Sequence, residues 1–246
     1  MQPLFDSHCH DFLDEQGTVV RDPACLSRHC VVASFSSTHW ESLLSCAIPH
    51  QDCWIALGLH PAYAGQWCGE TRCSLEGLVT DQRVVAIGEA GLDRTSEVPQ
   101  SLQEQVLRHQ IRLACAVNKP LVLHCYRSHG RLVDLLREEG AERVGGLIHG
   151  FSGGYDIAKK YLDLGFCLGI GPVLLRHNAR RLPAVVPRLP AAGLLLESDR
   201  MATGCREHIL QAVAQQTALL RGCSMEDLAW ETWCSSRRVF RLPEWP

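Results

Sequence analysis

Short apolar runs alternate with amphipathic segments along the whole chain. Most of these runs are continuously apolar, which is typical of strands that are buried on both faces of a parallel sheet. The predicted strands are Leu4–His8, Cys30–Phe35, Cys53–Leu59, Val84–Glu89, Pro120–Cys125, Gly145–Phe151, Phe166–Ile170 and Gly193–Ser198.

Helix signals occupy the segments between these runs. Thr38-x-x-Glu41 and Ser101-x-x-Glu104 match the capping box with which many helices begin. After Ser101, apolar residues recur at three- and four-residue spacing, so one face of that helix can pack on a sheet. A later helix is expected to stop at Gly140 in the left-handed conformation. Further helices are predicted over Ile157–Leu164, Glu207–Leu220 and Met225–Phe240.

Eight strands that alternate with helices over 246 residues predict a (β/α)8 TIM barrel, with residues 1–246 forming a single domain. The alternative is an open doubly wound sheet, which usually carries a glycine-rich phosphate loop after its first strand. Here the first strand is followed by His-Cys-His, and the sequence contains no such loop. The barrel is therefore favoured.

Composition narrows the class of protein. The chain is 46% hydrophobic and 21% charged, with a net charge of −3, which fits a globular protein and argues against nucleic-acid binding by bulk charge alone. The apolar runs are too short to span a bilayer, and the N-terminus leaves no room for a signal peptide. Thirteen cysteines without a C-x-x-C pair predict reduced thiols in the cytoplasm.

Polar residues at the strand ends carry the functional signal. His8 and His10 lie two apart on an extended strand, so both side chains can reach one ion from the same face. The ends of other strands bring further candidates, which are His60, Glu89, His124, His149 and Asp199. Because the carboxyl ends of barrel strands converge on one mouth, these side chains are expected to meet in one metal-binding pocket. Imidazole and carboxylate together suit zinc, manganese or magnesium, and imidazole favours the transition metals.

The segments that hold these residues also resemble a known family. They are Asp6–His10, Gly58–Pro61, Ile87–Asp93, Leu123–His124, His149–Gly153 and Leu196–Asp199, and they are similar to the successive motifs of the TatD family of metal-dependent hydrolases, which have amidohydrolase-like barrels. The resemblance implies two divalent ions, the first held by His8, His10 and Asp199, and the second by His124 and His149. It also implies that Glu89 bridges both ions and that Asp199 is the base for the attacking water, so these two carboxylates are the expected catalytic residues.

Four residues are candidate substrate contacts. His60 and Arg127 are expected to hold an anionic group, although Arg127 could equally be a surface charge at a helix start. Ser152 could donate to phosphate or cap the next helix. Arg200 stands where the family usually has a small residue and proline, and it could contact phosphate or pair with a carboxylate. Asp6 and Asp93 are expected to orient the ligands or their loops.

Two further groups bear on a polymer substrate. A basic cluster between the last two strands contains Arg176, His177, Arg180, Arg181 and Arg188, and it is either a solvated helix face or a track for a nucleic-acid backbone. Trp40, Trp54 and Trp67 are the candidates for base stacking.

The sequence thus predicts a metal-dependent hydrolase that cleaves phosphodiester bonds, a TatD-like deoxyribonuclease or 3′-5′ exonuclease acting on DNA ends or single strands. Two alternatives stay open. The same site could hydrolyse an ester or amide, as a D-aminoacyl-tRNA deacylase or a small-molecule amidohydrolase does, or the chain could be a non-catalytic metal-binding scaffold. No membrane partner is expected, and a monomer is favoured.

Overall fold

Each predicted apolar run forms a strand. The computed structural model describes residues 3–14, 18–20, 29–47, 49–202 and 208–242. Every strand pairs in parallel with the next one along the chain, in the order β1 to β8. Their bounds are β1 Asp6–Cys9, β2 Cys30–Ala33, β3 Cys53–Leu57, β4 Val84–Asp93, β5 Leu121–Tyr126, β6 Gly146–Ile148, β7 Phe166–Ile170 and β8 Leu194–Leu196.

Hydrogen bonds that join β1 and His10 to β8 and the segment that follows β8 close the barrel. The Ser7 hydroxyl donates to the Leu196 carbonyl at 2.8 Å, and the Asp199 amide donates to the His8 carbonyl at 3.0 Å. The His10 amide donates to the Arg200 carbonyl at 2.6 Å. The predicted (β/α)8 barrel is therefore confirmed.

Eight α-helices surround the strands in the part of the chain that the structure describes. They are α1 Trp40–Ala47, α2 Gly69–Leu78, α3 Gln100–Val117, α4 His129–Glu138, α5 Tyr155–Asp163, α6 Arg181–Val185, α7 Ile209–Arg221 and α8 Met225–Phe240. Gly140 has the left-handed conformation predicted for it just past α4, and α8 has the predicted bounds. Glu207, the predicted start of α7, lies outside the described residues. None of the described helices is long and apolar enough to cross a membrane.

Both predicted capping boxes are wrong by position. Ser36 caps a 3-10 turn over Ser37–His39, which leads into α1, so Thr38 lies inside the turn instead of capping it. The other helix begins at Gln100 after Pro99, which places Ser101 in its first turn. Pro99 has no amide hydrogen and a restricted φ, so it suits a helix start without a side-chain cap.

Apolar side chains fill the inside of the barrel at its amino-terminal end. This inner core includes Ala33, Ala56, Val122, Leu147 and Leu195. Below it, the Phe5 ring packs on the rings of Trp54, Trp233 and Phe240, with centroid distances of 5.8 to 6.5 Å. With this end filled, the polar side chains on the inner face are collected at the opposite mouth, at the carboxyl ends of the strands.

An irregularity in β4 aims one side chain into that mouth. The sequence predicted that this strand ends at Glu89, but it continues to Asp93. Ile87 pairs with Leu121, whereas Ala90 pairs with Leu123. Between these two pairs β4 therefore contains one residue more than β5, which is a β-bulge. Gly88 makes this possible, since its φ is +152° and a Cβ there would lie 2.3 Å from the Val122 carbonyl oxygen. A bulge of this kind re-aims a side chain, and here it directs the Glu89 carboxylate inward.

Candidate metal centre

Seven side chains meet at the carboxyl end of the barrel. This histidine–carboxylate cluster consists of His8, His10, His60, Glu89, His124, His149 and Asp199. Three overlapping groups within it have ligand atoms that lie within 4.8 Å of one another. The structure therefore brings together every residue predicted to bind metal.

One half of the cluster has the spacing of ligands around a single ion. The Nε2 atoms of His8 and His10 each lie 3.6 Å from Glu89 Oε2 and 3.7 Å from Asp199 Oδ1. Zinc binds nitrogen and oxygen ligands at about 2.1 Å, so neighbouring ligands of a tetrahedral ion lie about 3.4 Å apart. The four nitrogen–oxygen distances match this separation to within a few tenths of an ångström.

The two imidazoles of this half have free lone pairs. His10 Nδ1 lies 2.8 Å from the Ala33 carbonyl, to which it donates, so Nε2 carries the lone pair that faces the cluster. Both ring nitrogens of His8 are buried without a hydrogen-bond partner among the described residues. Burial holds the pKa of His8 well below its ordinary value, so this ring is neutral. A buried neutral imidazole without a partner fits a cation.

The other half is built on the second oxygen of Glu89. Glu89 Oε1 lies 2.7 Å from His149 Nε2 and 3.2 Å from His124 Nδ1, and these two nitrogens are 3.1 Å apart. Burial opposes a charge on His149, but the Glu89 carboxylate outweighs it and raises the pKa of His149 to about 10. Burial would likewise raise the pKa of Glu89, but His149 and the other imidazoles hold it well below its ordinary value. Glu89 is therefore an ionised carboxylate between two sets of imidazoles.

Two further aspartates contact a member of the cluster or the residue next to one. Asp93 Oδ2 lies 3.5 Å from His124 Nε2, so it can fix the ring orientation that turns Nδ1 toward Glu89. Asp6 accepts from the Ser198 amide at 2.9 Å and from the Ser198 hydroxyl at 2.5 Å, next to Asp199. Burial raises the pKa of Asp6 to about 7. These contacts match the orienting roles expected for Asp6 and Asp93.

Asp199 differs from the other members of the cluster in its access to water. Its side chain is 44% exposed, whereas that of Glu89 is 4% exposed and that of His8 is fully buried. Its backbone is left-handed, with φ at +49°, a conformation that is uncommon outside glycine but that aspartate and asparagine tolerate. Asp199 is thus the carboxylate of the cluster that an incoming water can reach.

The fold and the cluster together match a known family over almost the whole chain. The family model described as TatD related DNase matches residues 5–241. The chain belongs to the TatD family.

Individual TatD relatives match along most of their length. The chain is 31% identical to the uncharacterized metal-dependent hydrolase YabD of Bacillus subtilis (strain 168), over 97% of this chain and 99% of the relative. It is 33% identical to the 3′-5′ ssDNA/RNA exonuclease TatD of Erwinia tasmaniensis, over 82% of this chain and 84% of the relative. The crystal structure of YjjV, a TatD homolog from Escherichia coli K12, superposes with a TM-score of 0.84 at 27% identity and covers 98% of both chains.

His60 is the predicted substrate contact that lies in the cluster of this TatD protein. Its Nδ1 accepts from the Ala62 amide at 3.1 Å, so the neutral ring carries its hydrogen on Nε2. Burial lowers the pKa of His60 to about 4, which keeps the ring neutral at pH 7. Nε2 lies 3.7 Å from Glu89 Oε1. His60 therefore offers a hydrogen-bond donor, whereas His8 and His10 offer lone pairs, and a donor suits a substrate contact.

The other three predicted substrate contacts lie outside the cluster. Arg127 is exposed, and its guanidinium group stacks on the Tyr126 ring at 5.3 Å. Ser152 does not cap the next helix, because α5 begins after Gly154 without a side-chain cap. Arg200 follows the second alternative, in which it pairs with a carboxylate.

The partner of Arg200 is Asp11. Nε and Nη2 of Arg200 donate to the two carboxylate oxygens of Asp11 at 2.6 to 2.8 Å. The Arg200 side chain is 7% exposed, and that of Asp11 is fully buried. These donors are therefore committed to the protein, and the pair joins the segment after Asp199 to the segment after β1.

Replacing Arg200 by methionine should destabilise this TatD protein by about 3–5 kcal/mol, because a buried carboxylate would lose its ion-pair partner. The measurement is the free energy of unfolding in urea. Arg137→Met, at an exposed position of α4, is the matched control. The double variant Asp11→Asn/Arg200→Met should recover much of the loss, and a single variant as stable as the control would contradict a structural role for the pair.

The structure also brings to the mouth residues that were not singled out from the sequence. Glu197 Oε1 accepts from the Gly150 amide at 2.6 Å, next to the ligand candidate His149, and burial raises the pKa of Glu197 to about 8. Its position in the Leu196–Asp199 motif was the available signal. Phe35 packs edge-on against His10 at 5.5 Å, and Tyr63 packs on Phe35 at 5.5 Å. Phe35 is the last residue of one predicted strand, and Tyr63 follows the end of the next one by four residues.

The tryptophans expected to stack on bases serve packing instead. Trp40 is buried, and its indole nitrogen donates to the Gly58 carbonyl at 3.0 Å. Trp54 packs on Phe5 at the closed end of the barrel. Trp67 stacks on His109 at 5.6 Å and packs against the hydrophobic core.

Proposed function

We propose that this chain is a divalent-metal-dependent hydrolase that cleaves phosphodiester bonds, acting as a 3′-5′ exonuclease on single-stranded DNA or RNA, with residues 1–246 working as one catalytic domain. The observation that carries the proposal is the Glu89 carboxylate, whose two oxygens face separate sets of imidazoles beside the exposed Asp199. The name of the Erwinia relative, a 3′-5′ ssDNA/RNA exonuclease, supports this substrate class.

The donor set fits two ions. His8, His10 and Asp199 would hold one ion together with Glu89 Oε2, and His124 and His149 would hold the other together with Glu89 Oε1. When bound, two divalent ions lower the pKa of water and stabilise the entering and leaving oxygens of a displacement at phosphorus. Four imidazole ligands favour zinc or manganese over magnesium.

The side chains around these ligands have the remaining roles. Asp199 accepts the proton of the attacking water, because its carboxylate is the exposed one. The His60 Nε2 hydrogen is directed toward a phosphate oxygen and orients the scissile group. Phe35 and Tyr63 form an aromatic surface beside His10, and Tyr63 is 37% exposed, so a terminal base can stack there.

A parallel assay on three substrates tests the function. Single-stranded DNA, single-stranded RNA and aminoacyl-tRNA, each labelled at the 3′ end, are incubated with zinc, manganese or magnesium. We expect release of single labelled nucleotides from DNA and RNA, and no release after chelation of the metal. A 5′-labelled strand should shorten stepwise instead of yielding labelled mononucleotide at once.

The same assay decides between the proposed function and its alternatives. Release of the amino acid alone would favour an ester or amide hydrolase, and the absence of any release would favour a metal-binding scaffold. A Glu89→Gln preparation made in the same way controls for contaminating nucleases.

The thiols support a proposal for the compartment of this enzyme. Six of the eleven cysteines that the structure describes are buried, and the exposed Cys68, Cys73 and Cys234 are free thiols. Free thiols persist in a reducing environment, which supports a cytoplasmic enzyme. Because one chain supplies every proposed ligand, we also propose that the monomer is active.

A further inference from the structure

A cationic pocket lies beside the barrel mouth, outside the histidine–carboxylate cluster. This arginine pocket has a volume of about 280 Å³ and is lined by the polar side chains of Ser152, Arg176, Asn178, Arg180 and Arg181. Apolar side chains complete its wall. It gathers most of the basic cluster seen in the sequence, together with Ser152, into one concave surface.

The pocket opens at the same end of the barrel as the cluster. Ser152 follows the ligand candidate His149 by three residues, and the arginines follow the carboxyl end of β7. Glu197 anchors both segments, since its Oε1 accepts from the Gly150 amide and a Cβ on Gly171 would lie 2.8 Å from the same oxygen. Glu197 is itself two residues from Asp199. The two segments that form the pocket are therefore in contact with the same segment of chain that carries a member of the histidine–carboxylate cluster.

The charge of this pocket is uncompensated in the part of the chain that the structure describes. None of the guanidinium groups of Arg176, Arg180 and Arg181 forms an ion pair with a described carboxylate, and no carboxylate lines the pocket. Some arginines elsewhere on the surface are paired, as Arg108 and Arg131 are with Glu104 and Glu138. Three unpaired guanidinium groups around one cavity, in a chain of net charge −3, match an anionic ligand.

We infer that the arginine pocket binds the backbone phosphates of a single-stranded polynucleotide, on the 5′ side of the bond being cleaved. This inference rests on the proposed exonuclease function. When the 3′ end occupies the cluster, the remainder of the strand must leave through the mouth, where the pocket offers guanidinium forks, the Ser152 hydroxyl and the Asn178 amide as donors to phosphate. The pocket then favours long strands over short ones, because a dinucleotide has no phosphate to place in it.

The test combines a triple variant with substrates of graded length. Arg176→Gln/Arg180→Gln/Arg181→Gln is compared with Arg72→Gln/Arg137→Gln/Arg143→Gln, which removes the same charge from exposed positions elsewhere. The values of kcat and KM are measured on single-stranded DNA of 2 to 16 nucleotides and on bis(4-nitrophenyl) phosphate. For the longest strands we expect the pocket variant to raise KM about tenfold or more. Its kinetics on the dinucleotide and the chromogenic diester should match those of the control variant.

Salt dependence gives a second readout. Each phosphate contact to a single strand contributes a slope of about −0.7 to the dependence of log affinity on log salt, so three lost contacts should reduce the slope by about 2. The measurement is fluorescence anisotropy of a labelled oligonucleotide whose 3′-terminal linkages resist hydrolysis. Affinity and slope equal to those of the control variant, or an equal loss on all substrate lengths, would overturn the inference. A wild-type protein that hydrolyses no diester at all would instead overturn the proposed function, whereas the anisotropy experiment would still report on the pocket.

Discussion

Replacing Asp199 by asparagine should lower kcat for phosphodiester hydrolysis by about 10²- to 10⁴-fold while most of the bound metal is retained. The range is the usual contribution of a positioned general base. Asparagine keeps an Oδ1 atom at the place where Asp199 Oδ1 faces His8 and His10, but it cannot accept a proton from water. The expected effect is therefore on the chemical step, with a much smaller effect on KM.

The backbone makes asparagine the appropriate replacement at this position. Residue 199 has a φ of +49°, and asparagine is among the few residues that occupy this region at little cost. Alanine would add backbone strain to the loss of the carboxylate and would confuse the two effects.

The measurement pairs steady-state kinetics on 3′-labelled single strands with metal analysis after equilibrium dialysis. Asp134→Asn, at an exposed position on α4, is the control and should behave like the wild type. A rate unchanged in Asp199→Asn would remove Asp199 as the base. A rate that falls only in proportion to lost metal would make Asp199 a ligand without a role in proton transfer.

The barrel itself could be predicted because its strands are buried on both faces. Runs such as Phe166–Ile170 and Leu194–Leu196 are apolar throughout. They can therefore be predicted as buried strands from the local sequence alone. Once the barrel is predicted, residues as far apart in the sequence as His8 and His149 are brought together by the topology alone. The composition of the cluster therefore follows from the fold.

Features that depend on contacts between distant segments could not be predicted. The inward aim of Glu89 depends on the bulge at Gly88, which in turn depends on the close approach of Val122 in the next strand. The ion pair of Arg200 with Asp11 joins residues 189 positions apart, so the sequence could state two alternatives for Arg200 but could not decide between them. Neither contact can be inferred from the local pattern of apolar and polar residues.

The net charge of the chain also leaves the placement of its charged side chains undetermined. A value of −3 argues against a broad basic surface, but it says nothing about how the charges are distributed. Paired arginines on the helices and unpaired ones in the arginine pocket contribute equally to the sum. Their pairing partners become visible only when the helices are placed.

Replacing Glu89 by glutamine should weaken metal binding by at least about 100-fold and abolish hydrolysis. Loss of an outer partner of a metal ligand typically costs about 10- to 100-fold in affinity, and Glu89 contacts both sets of imidazoles directly. Glutamine has nearly the same shape and keeps a carbonyl oxygen that His149 Nε2 can reach, so the fold should remain intact.

Metal content after dialysis and the affinity for zinc, measured by competition with a chromogenic chelator, report the effect, and circular dichroism reports the fold. Glu76→Gln, on the exposed face of α2, is the control. Full metal content in folded Glu89→Gln protein would contradict the bridging role, and loss of only one of two ions would restrict Glu89 to one half of the cluster.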